Sequence, residues 1–216
     1  FKHQFKNNKV YRSFCDLLFV HPSSISTIEE IPFLPIQFFK SRKVLSSLAE
    51  VQEIFTSSGT TGSSTSKHLV TDITLYKESY LKGFAHFYGN IEEYTILALL
   101  PNYLEREGSS LVFMVADLIQ KSKKPESGFY LDNMQELAKK LTELDKTGQK
   151  TLLIGVSFAL LDLIEMQQFN LKNTIIMETG GMKGRRKELV REELHAILKN
   201  GFGVTEIHSE YGMTEL

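Results

Sequence analysis

The segment from Phe55 to Lys67 has the composition of a loop that binds phosphate. Its glycines allow the backbone to fold closely around an anion, its hydroxyl and N–H groups can donate to phosphate oxygens, and its lysine supplies a positive charge. It is not a Walker A loop, because two residues separate Gly59 from Gly62 and no Gly-Lys-Ser/Thr ending follows. The same composition is typical of a flexible linker, so the segment alone leaves both interpretations open. The candidate phosphate-binding residues are Ser57, Ser58, Gly59, Thr60, Thr61, Gly62 and Lys67.

A double glycine, Gly180-Gly181, follows an apolar segment further along the chain. Two glycines at the end of a strand allow the backbone to lie flat against a planar ligand. A plain turn between a strand and a helix explains them equally well. The basic residues at 183–187 are typical of a solvated start of a helix.

The last segment, Tyr211-Gly212-Met213-Thr214-Glu215, combines an aromatic ring, a turn glycine, a hydroxyl and a carboxylate. These groups suit stacking on a base, bonding to a phosphate and coordination of Mg²⁺. A surface turn has a similar composition, and the segment alone does not separate the two interpretations.

The elements that must position these segments alternate between strands and helices. Such alternation predicts βαβ units, and therefore an α/β fold with a mostly parallel sheet flanked by helices. Ligands of such sheets bind beyond the carboxyl ends of the strands, and each of the three segments follows a predicted strand. The predicted strands are Val51–Thr56, Tyr94–Leu100, Thr151–Val156, Asn173–Glu178 and Val204–His208. The predicted helices are Thr74–Tyr88, Gly108–Gln120, one that Asp132 caps, Phe158–Met166 and one with a buried stripe from Leu189 to Leu198.

The first 50 residues have a different character. They are rich in aromatic residues and contain Pro22, Pro32 and Pro35, which predicts an irregular segment that wraps the core. We therefore expect residues 1–50 to form a wrapping segment and residues 51–216 to form an incomplete ATP-binding α/β domain.

Composition excludes several classes of protein. The chain has 216 residues and a formal net charge of -1, which argues against a protein that mainly grips nucleic acid. No apolar run reaches the length of a membrane span. The single cysteine, Cys15, cannot form an internal disulfide and fits a reducing, cytoplasmic location. Because it lies among apolar residues, we expect it to be a buried structural thiol.

Taken in this order, the three segments resemble the adenylate-forming superfamily of acyl- and aryl-CoA ligases, luciferases and peptide-synthetase adenylation domains. Ser57–Gly62 resembles its phosphate loop, Gly180-Gly181 its adenine-side turn and Tyr211–Glu215 its Tyr-Gly-x-Thr-Glu motif. Ile31–Lys40 and Leu100–Leu111 resemble the LuxE-type acyl-protein synthetase branch, whose founding members belong to fatty-acid reductase complexes for bacterial luminescence. The resemblance extends from about Ile31 to the end of the chain.

The resemblance implies an enzyme that uses ATP and Mg²⁺ to activate a carboxylic acid, here a fatty acid, as an acyl-adenylate, and transfers it to a protein thiol with release of AMP. It implies that Ser57–Gly62 and Lys67 hold the phosphates and that Tyr211 stacks on adenine beside Gly180 and Gly181. Thr214 would bond the α-phosphate, and Glu215 would ligate Mg²⁺. An acyl reductase is an implied partner.

The chain also departs from the superfamily pattern. Many relatives have Pro-Lys shortly after the last loop glycine, whereas Lys67 here follows a run of hydroxyl residues. The superfamily's ribose-binding aspartate, hinge and mobile lysine lie beyond the last motif, after which only Leu216 follows here. We therefore expect an AMP-forming acid–thiol ligase in the full-length parent, and a fragment that is not fully active alone. A CoA ligase and a non-catalytic nucleotide- or acyl-binding module remain alternatives.

Overall fold

A computed structural model describes residues 1–57, 65–100, 108–180 and 189–212 as an α/β protein. The described helices are α1 (Lys2–Asn7), α2 (Lys9–Leu17), α3 (Phe38–Ser41), α4 (Ile73–Tyr88), α5 (Ser110–Ser122), α6 (Met134–Lys146), α7 (Ser157–Met166) and α8 (Arg191–Phe202), with a 3₁₀ turn at Ile91–Glu93. The described strands are β1 (Glu53–Thr56), β2 (Lys67–Val70), β3 (Thr95–Leu99), β4 (Gly128–Phe129), β5 (Thr151–Gly155), β6 (Thr174–Glu178) and β7 (His208–Ser209).

The chain divides into two compact units. Unit one consists mainly of Phe1–Glu78 and Gly108–Ser110, and unit two of Ser79–Glu107 and Leu111–Gly212. The division between residues 1–50 and 51–216 and the incompleteness of the ATP-binding domain stay predictions.

Unit two contains a parallel sheet of five strands in the order β4-β3-β5-β6-β7. Every residue of β3 and of β5 is buried, as expected for central strands covered on both faces. The α/β fold with a parallel sheet flanked by helices is therefore confirmed, and the apolar runs around β3, β5 and β6 mark their strands correctly.

Two predictions at the ends of elements in unit two are wrong. The last strand is His208–Ser209 rather than Val204–His208, because α8 extends to Phe202 and ends at Gly203 in the left-handed conformation (φ 68°), so the chain must first return to the sheet. Helix α6 is capped by Asn133 rather than Asp132, since the Asn133 side chain accepts the N–H of Glu136 at 3.2 Å.

The N-terminal part of unit one is helical where the sequence suggested an irregular segment. Asn8 accepts the N–H of Tyr11 at 3.1 Å and caps α2. Phe5, Tyr11 and Cys15 form a small buried core, in which Cys15 is fully buried. The first 17 residues therefore form two short helices that bury Phe5, Tyr11 and Cys15, and the prolines all follow these helices. The prediction of a buried structural thiol is confirmed.

Strands β1 and β2 form an antiparallel pair that is separate from the parallel sheet. Their register pairs Glu53 with Val70 and Thr56 with Lys67. The expectation that the Ser57–Ser66 segment follows a strand of the parallel sheet is therefore wrong. The polar segment connects two strands of a hairpin-like sheet instead of a strand and a helix.

Candidate functional site

Four of the predicted site residues lie in the described parts of the chain. Ser57 and Lys67 are in unit one, and Gly180 and Tyr211 are in unit two. The convergence of the three segments on one nucleotide stays a prediction. The other predicted residues, which are Ser58, Gly59, Thr60, Thr61, Gly62, Gly181, Thr214 and Glu215, lie outside the described residues.

The two ends of the candidate phosphate loop are held together by hydrogen bonds. The N–H of Ser57 donates to the carbonyl of Ser66 at 3.1 Å, and the N–H of Ser66 donates to the Ser57 hydroxyl at 3.0 Å. On the other side, the N–H of Thr56 donates to the carbonyl of Gly108 at 2.7 Å. Ser57 therefore has a structural role in closing the loop, and Lys67 lies at its far end as an exposed residue of β2.

Gly180 forms an open turn after β6. Its φ is +71°, a left-handed conformation that favours glycine, and among the described residues other than its chain neighbours no atom lies within 4 Å of the position that a Cβ would take. The turn is anchored by two backbone hydrogen bonds. The N–H of Thr179 donates to the carbonyl of Gly155 at 3.0 Å, and the N–H of Ser157 donates to the carbonyl of Gly180 at 3.1 Å. Gly180 therefore presents free space on a fixed backbone.

Tyr211 leaves the same edge of the sheet beside Gly180. The parallel register pairs Glu178 with Ser209, so that Gly180 and Tyr211 each lie two residues beyond a paired position. The N–H of Glu210 continues the ladder by donating to the carbonyl of Glu178 at 2.9 Å. Tyr211 is 79% exposed, and an exposed aromatic ring can stack on a planar ligand. An open glycine turn and an exposed ring at the carboxyl edge fit a planar base.

The sequence interpretation did not single out a polar cluster beneath this edge, centred on Glu178. Glu178 is only 5% exposed. Its Oε2 accepts the Gly180 N–H at 2.7 Å and the Ser157 hydroxyl at 3.3 Å, and its Oε1 accepts the Ser209 hydroxyl at 2.6 Å. The Nε2 atom of His195 lies 3.4 Å from Oε1. A signal was present, because Glu178 shares the inward phase of β6 with the buried residues Thr174 and Ile176.

The charges of this cluster are set by its surroundings. Burial alone raises the pKa of Glu178, but the hydrogen bonds from Ser209 and Gly180 and the neighbouring His195 together outweigh burial and hold the pKa below its usual value. Burial, and then the charge of Glu178, raise the pKa of the neighbouring Glu210. Glu178 is therefore an ionised carboxylate that the protein supports with hydrogen bonds.

Two other residues with reactive side chains have structural contacts. His208 Nδ1 lies 2.9 Å from the Tyr88 hydroxyl, which gives this histidine a hydrogen-bond partner within the protein. Burial raises the pKa of the Cys15 thiol, although its contact with Tyr11 acts in the opposite direction. A buried, protonated thiol is a poor nucleophile, so Cys15 is unsuited to accept an acyl group in this conformation.

The described residues also bear on metal binding and on insertion into a membrane. Among the described residues, no cluster of three His, Cys, Asp or Glu side chains could hold a metal ion, and the predicted ligand Glu215 lies outside them. Within the same part of the chain, every helix is too short or too polar to cross a bilayer.

Comparison with known proteins gives one family. Residues 1–94 match the family model described as acyl-protein synthetase, LuxE. The resemblance to this family is confirmed for that part of the chain, which includes the candidate phosphate loop and starts earlier than the expected Ile31. The segments around Gly180 and Tyr211 lie outside the matched residues. No curated protein matches the chain.

Proposed function

We propose that this protein activates a carboxylic acid, most simply a fatty acid, with ATP and transfers the acyl group to a protein thiol. The premise is the match of residues 1–94 to a family of acyl-protein synthetases, which are ligases, and this match carries the proposal. The open edge formed by Gly180 and Tyr211 supports it, because a planar base fits there.

The proposed reaction has two steps. A carboxylate oxygen of the acid forms a bond to the α-phosphorus of ATP while the bond from that phosphorus to the bridging oxygen breaks, so that pyrophosphate leaves and an acyl-adenylate remains. A thiolate then attacks the acyl carbon and AMP leaves. Since two anions meet in the first step, the protein must mainly align them and neutralise their charge.

The residues of this chain divide these tasks in the proposal. Ser57–Gly62 and Lys67 bind the β- and γ-phosphates, and Tyr211 stacks on adenine against Gly180 and Gly181. Thr214 binds near the α-phosphate, and Glu215 is the Mg²⁺ ligand. The metal would offset charge that builds up on the leaving pyrophosphate.

Cys15 is unsuited to be the accepting thiol, because it is fully buried and burial raises the pKa of its thiol. A labelled fatty acid offered with ATP, a candidate acceptor protein and CoA tests the acceptor. Label on the protein supports the proposal, whereas label only on CoA assigns the chain to the CoA ligases.

The activation step is tested by exchange of labelled pyrophosphate into ATP, which depends on the added acid. Glu215→Ala should reduce this exchange by about a hundredfold or more, since even partners behind metal ligands cost about 10- to 100-fold. Glu206→Ala is the matched control, because Glu206 is an exposed carboxylate whose neighbour is His208. If Glu215→Ala and Glu206→Ala retain equal exchange, the assignment of Glu215 as the metal ligand is refuted. Absence of acid-dependent exchange in the unmutated protein refutes the proposed function.

A further inference from the structure

One buried carboxylate contacts both backbone segments of the proposed adenine site. Glu178 accepts the Gly180 N–H with Oε2 at 2.7 Å and the Ser209 hydroxyl with Oε1 at 2.6 Å. Its own carbonyl accepts the N–H of Glu210, the residue before Tyr211. Glu178 therefore fixes the chain on the way to Gly180 and on the way to Tyr211.

We infer that Glu178 is a positioning residue that holds the Gly180 turn and the Tyr211 segment at the spacing that an adenine base requires. This inference rests on the proposed function, because it assumes that the two segments bind a nucleotide. The physical reason is that each segment leaves the sheet as a free end of a strand. Without a common anchor, part of the binding free energy would be spent on ordering the two segments.

The geometry excludes a hydrolytic Ser-His-Glu relay in the same cluster. In a relay, the carboxylate orients one ring nitrogen of the histidine while the other nitrogen takes the proton of the serine. Here the same atom, His195 Nε2, lies 3.4 Å from both Glu178 Oε1 and Ser209 Oγ. The Ser209 hydroxyl donates directly to Glu178. The contacts are those of a tether, by which we mean a carboxylate that joins the Gly180 turn and the Ser209 segment through hydrogen bonds.

Two substitutions of Glu178 separate a tether from a charge. In Glu178→Gln, the amide oxygen can still accept the Gly180 N–H, and the amide NH₂ can donate to Ser209 after its hydroxyl rotates. In Glu178→Ala, both contacts are lost and a partly buried Gly180 N–H has no acceptor. If Glu178 acts as a tether, Glu178→Gln should therefore keep the AMP affinity that Glu178→Ala loses.

Asp145 offers a matched control, because it contacts the opposite end of β6, the strand that ends with Glu178. Its carboxylate accepts the N–H groups of Lys172 and Asn173, at 2.9 and 2.7 Å, and contacts the Thr174 hydroxyl at 3.2 Å. It thus anchors the amino end of β6 as Glu178 anchors the carboxyl end. Asp145→Ala should destabilise the fold in a similar way without touching the proposed adenine site.

The experiment measures AMP binding by titration calorimetry and exchange of the Gly180 amide proton in the free protein. We expect Glu178→Ala to weaken AMP binding about tenfold and to speed Gly180 exchange, with Glu178→Gln and Asp145→Ala within about twofold of the unmutated protein in affinity. If Glu178→Ala does not fold, Ser209→Ala removes one arm of the tether and should weaken binding about fivefold, the equivalent of one hydrogen bond.

Each other result has a definite meaning. Unchanged AMP affinity in Glu178→Ala, or in Ser209→Ala where the former does not fold, overturns the inference and leaves the proposed function intact. An equal loss in Glu178→Gln and Glu178→Ala also overturns it, because the charge and not the tether would then matter. If the unmutated protein binds neither AMP nor ATP, the proposed function is refuted and the inference with it.

Discussion

Gly108 supports the strand that leads into the candidate phosphate loop, and Gly108→Ala tests this support. The carbonyl of Gly108 accepts the Thr56 N–H at 2.7 Å, one residue before Ser57. Its φ is +77°, and a Cβ at this position would lie 2.8 Å from Thr56 Oγ1 and 3.3 Å from the carbonyl oxygen of Ile54. The substitution therefore adds both backbone strain and a steric conflict at the end of β1.

The magnitude follows from these two terms. A left-handed alanine costs about 1–2 kcal/mol, and the lower entropy of the unfolded chain offsets about 0.4–1 kcal/mol of this. An overpacked contact typically adds about 1–3 kcal/mol. Gly148→Ala is the control for the first term alone, because Gly148 has φ +75° and no atom of the described residues beyond its chain neighbours lies within 4 Å of its Cβ position. We expect a loss of about 1 kcal/mol for Gly148→Ala and about 2–4 kcal/mol for Gly108→Ala.

Urea unfolding measures both losses, and titration with ATP measures the consequence for the loop. Gly108→Ala should also weaken ATP binding, since a shift of Thr56 moves Ser57, whereas Gly148→Ala should not. A double-mutant cycle with Thr56→Ala should show a coupling free energy of about 1 kcal/mol, because it removes the atom in conflict. Equal losses for the two glycine variants, together with additive effects of Thr56→Ala and Gly108→Ala, would refute the proposed contact.

Two further predictions concern one residue in each unit. Gly180→Ala should cost about as much stability as Gly148→Ala, since both glycines have positive φ and open surroundings. It should also weaken AMP binding about tenfold, because the added methyl group occupies the proposed adenine surface. Unchanged AMP affinity in titration calorimetry would remove Gly180 from the site. Tyr11→Phe should lower the free energy of unfolding by about 1–2 kcal/mol at pH 7, because the Tyr11 hydroxyl donates to the carbonyl of Pro32 at 2.6 Å. Burial, with a smaller effect of Cys15, raises the pKa of Tyr11 from 10.0 to about 12, so the folded state retains a proton that the unfolded state releases. The difference in free energy of unfolding between Tyr11→Phe and the unmutated protein should have its full size below pH 10 and shrink as the pH rises through about 12. If urea unfolding shows the same difference over this whole range, the raised pKa of Tyr11 is contradicted.

The sequence alone was sufficient for the central part of the fold. The apolar runs that became β3 and β5 are too continuous for a sheet with one solvated face, and they alternate with helical patterns, which together indicate a covered parallel sheet. Composition around Cys15 was also sufficient to predict its burial. The residues 1–94 that match the acyl-protein synthetases include the polar loop identified from its glycines and hydroxyls.

Local patterns were insufficient wherever the partner of a segment decides its structure. A strand followed by a polar loop is compatible with a βα unit or with a hairpin, and only the pairing of Thr56 with Lys67 shows that β1 belongs to an antiparallel pair. Similarly, the aromatic residues of the first 17 positions became helical because Phe5, Tyr11 and Cys15 bury one another.

The Glu178 cluster was decided by tertiary structure alone. Its hydrogen-bond partners Ser157, His195 and Ser209 lie 21, 17 and 31 positions away along the chain. Spacing in the sequence carries no information about such contacts, because the parallel crossovers of the sheet bring them together at one edge. The sequence therefore identified the chemical groups of the candidate loops, whereas the folded sheet decided that a buried carboxylate lies beneath two of them and fixes their backbone.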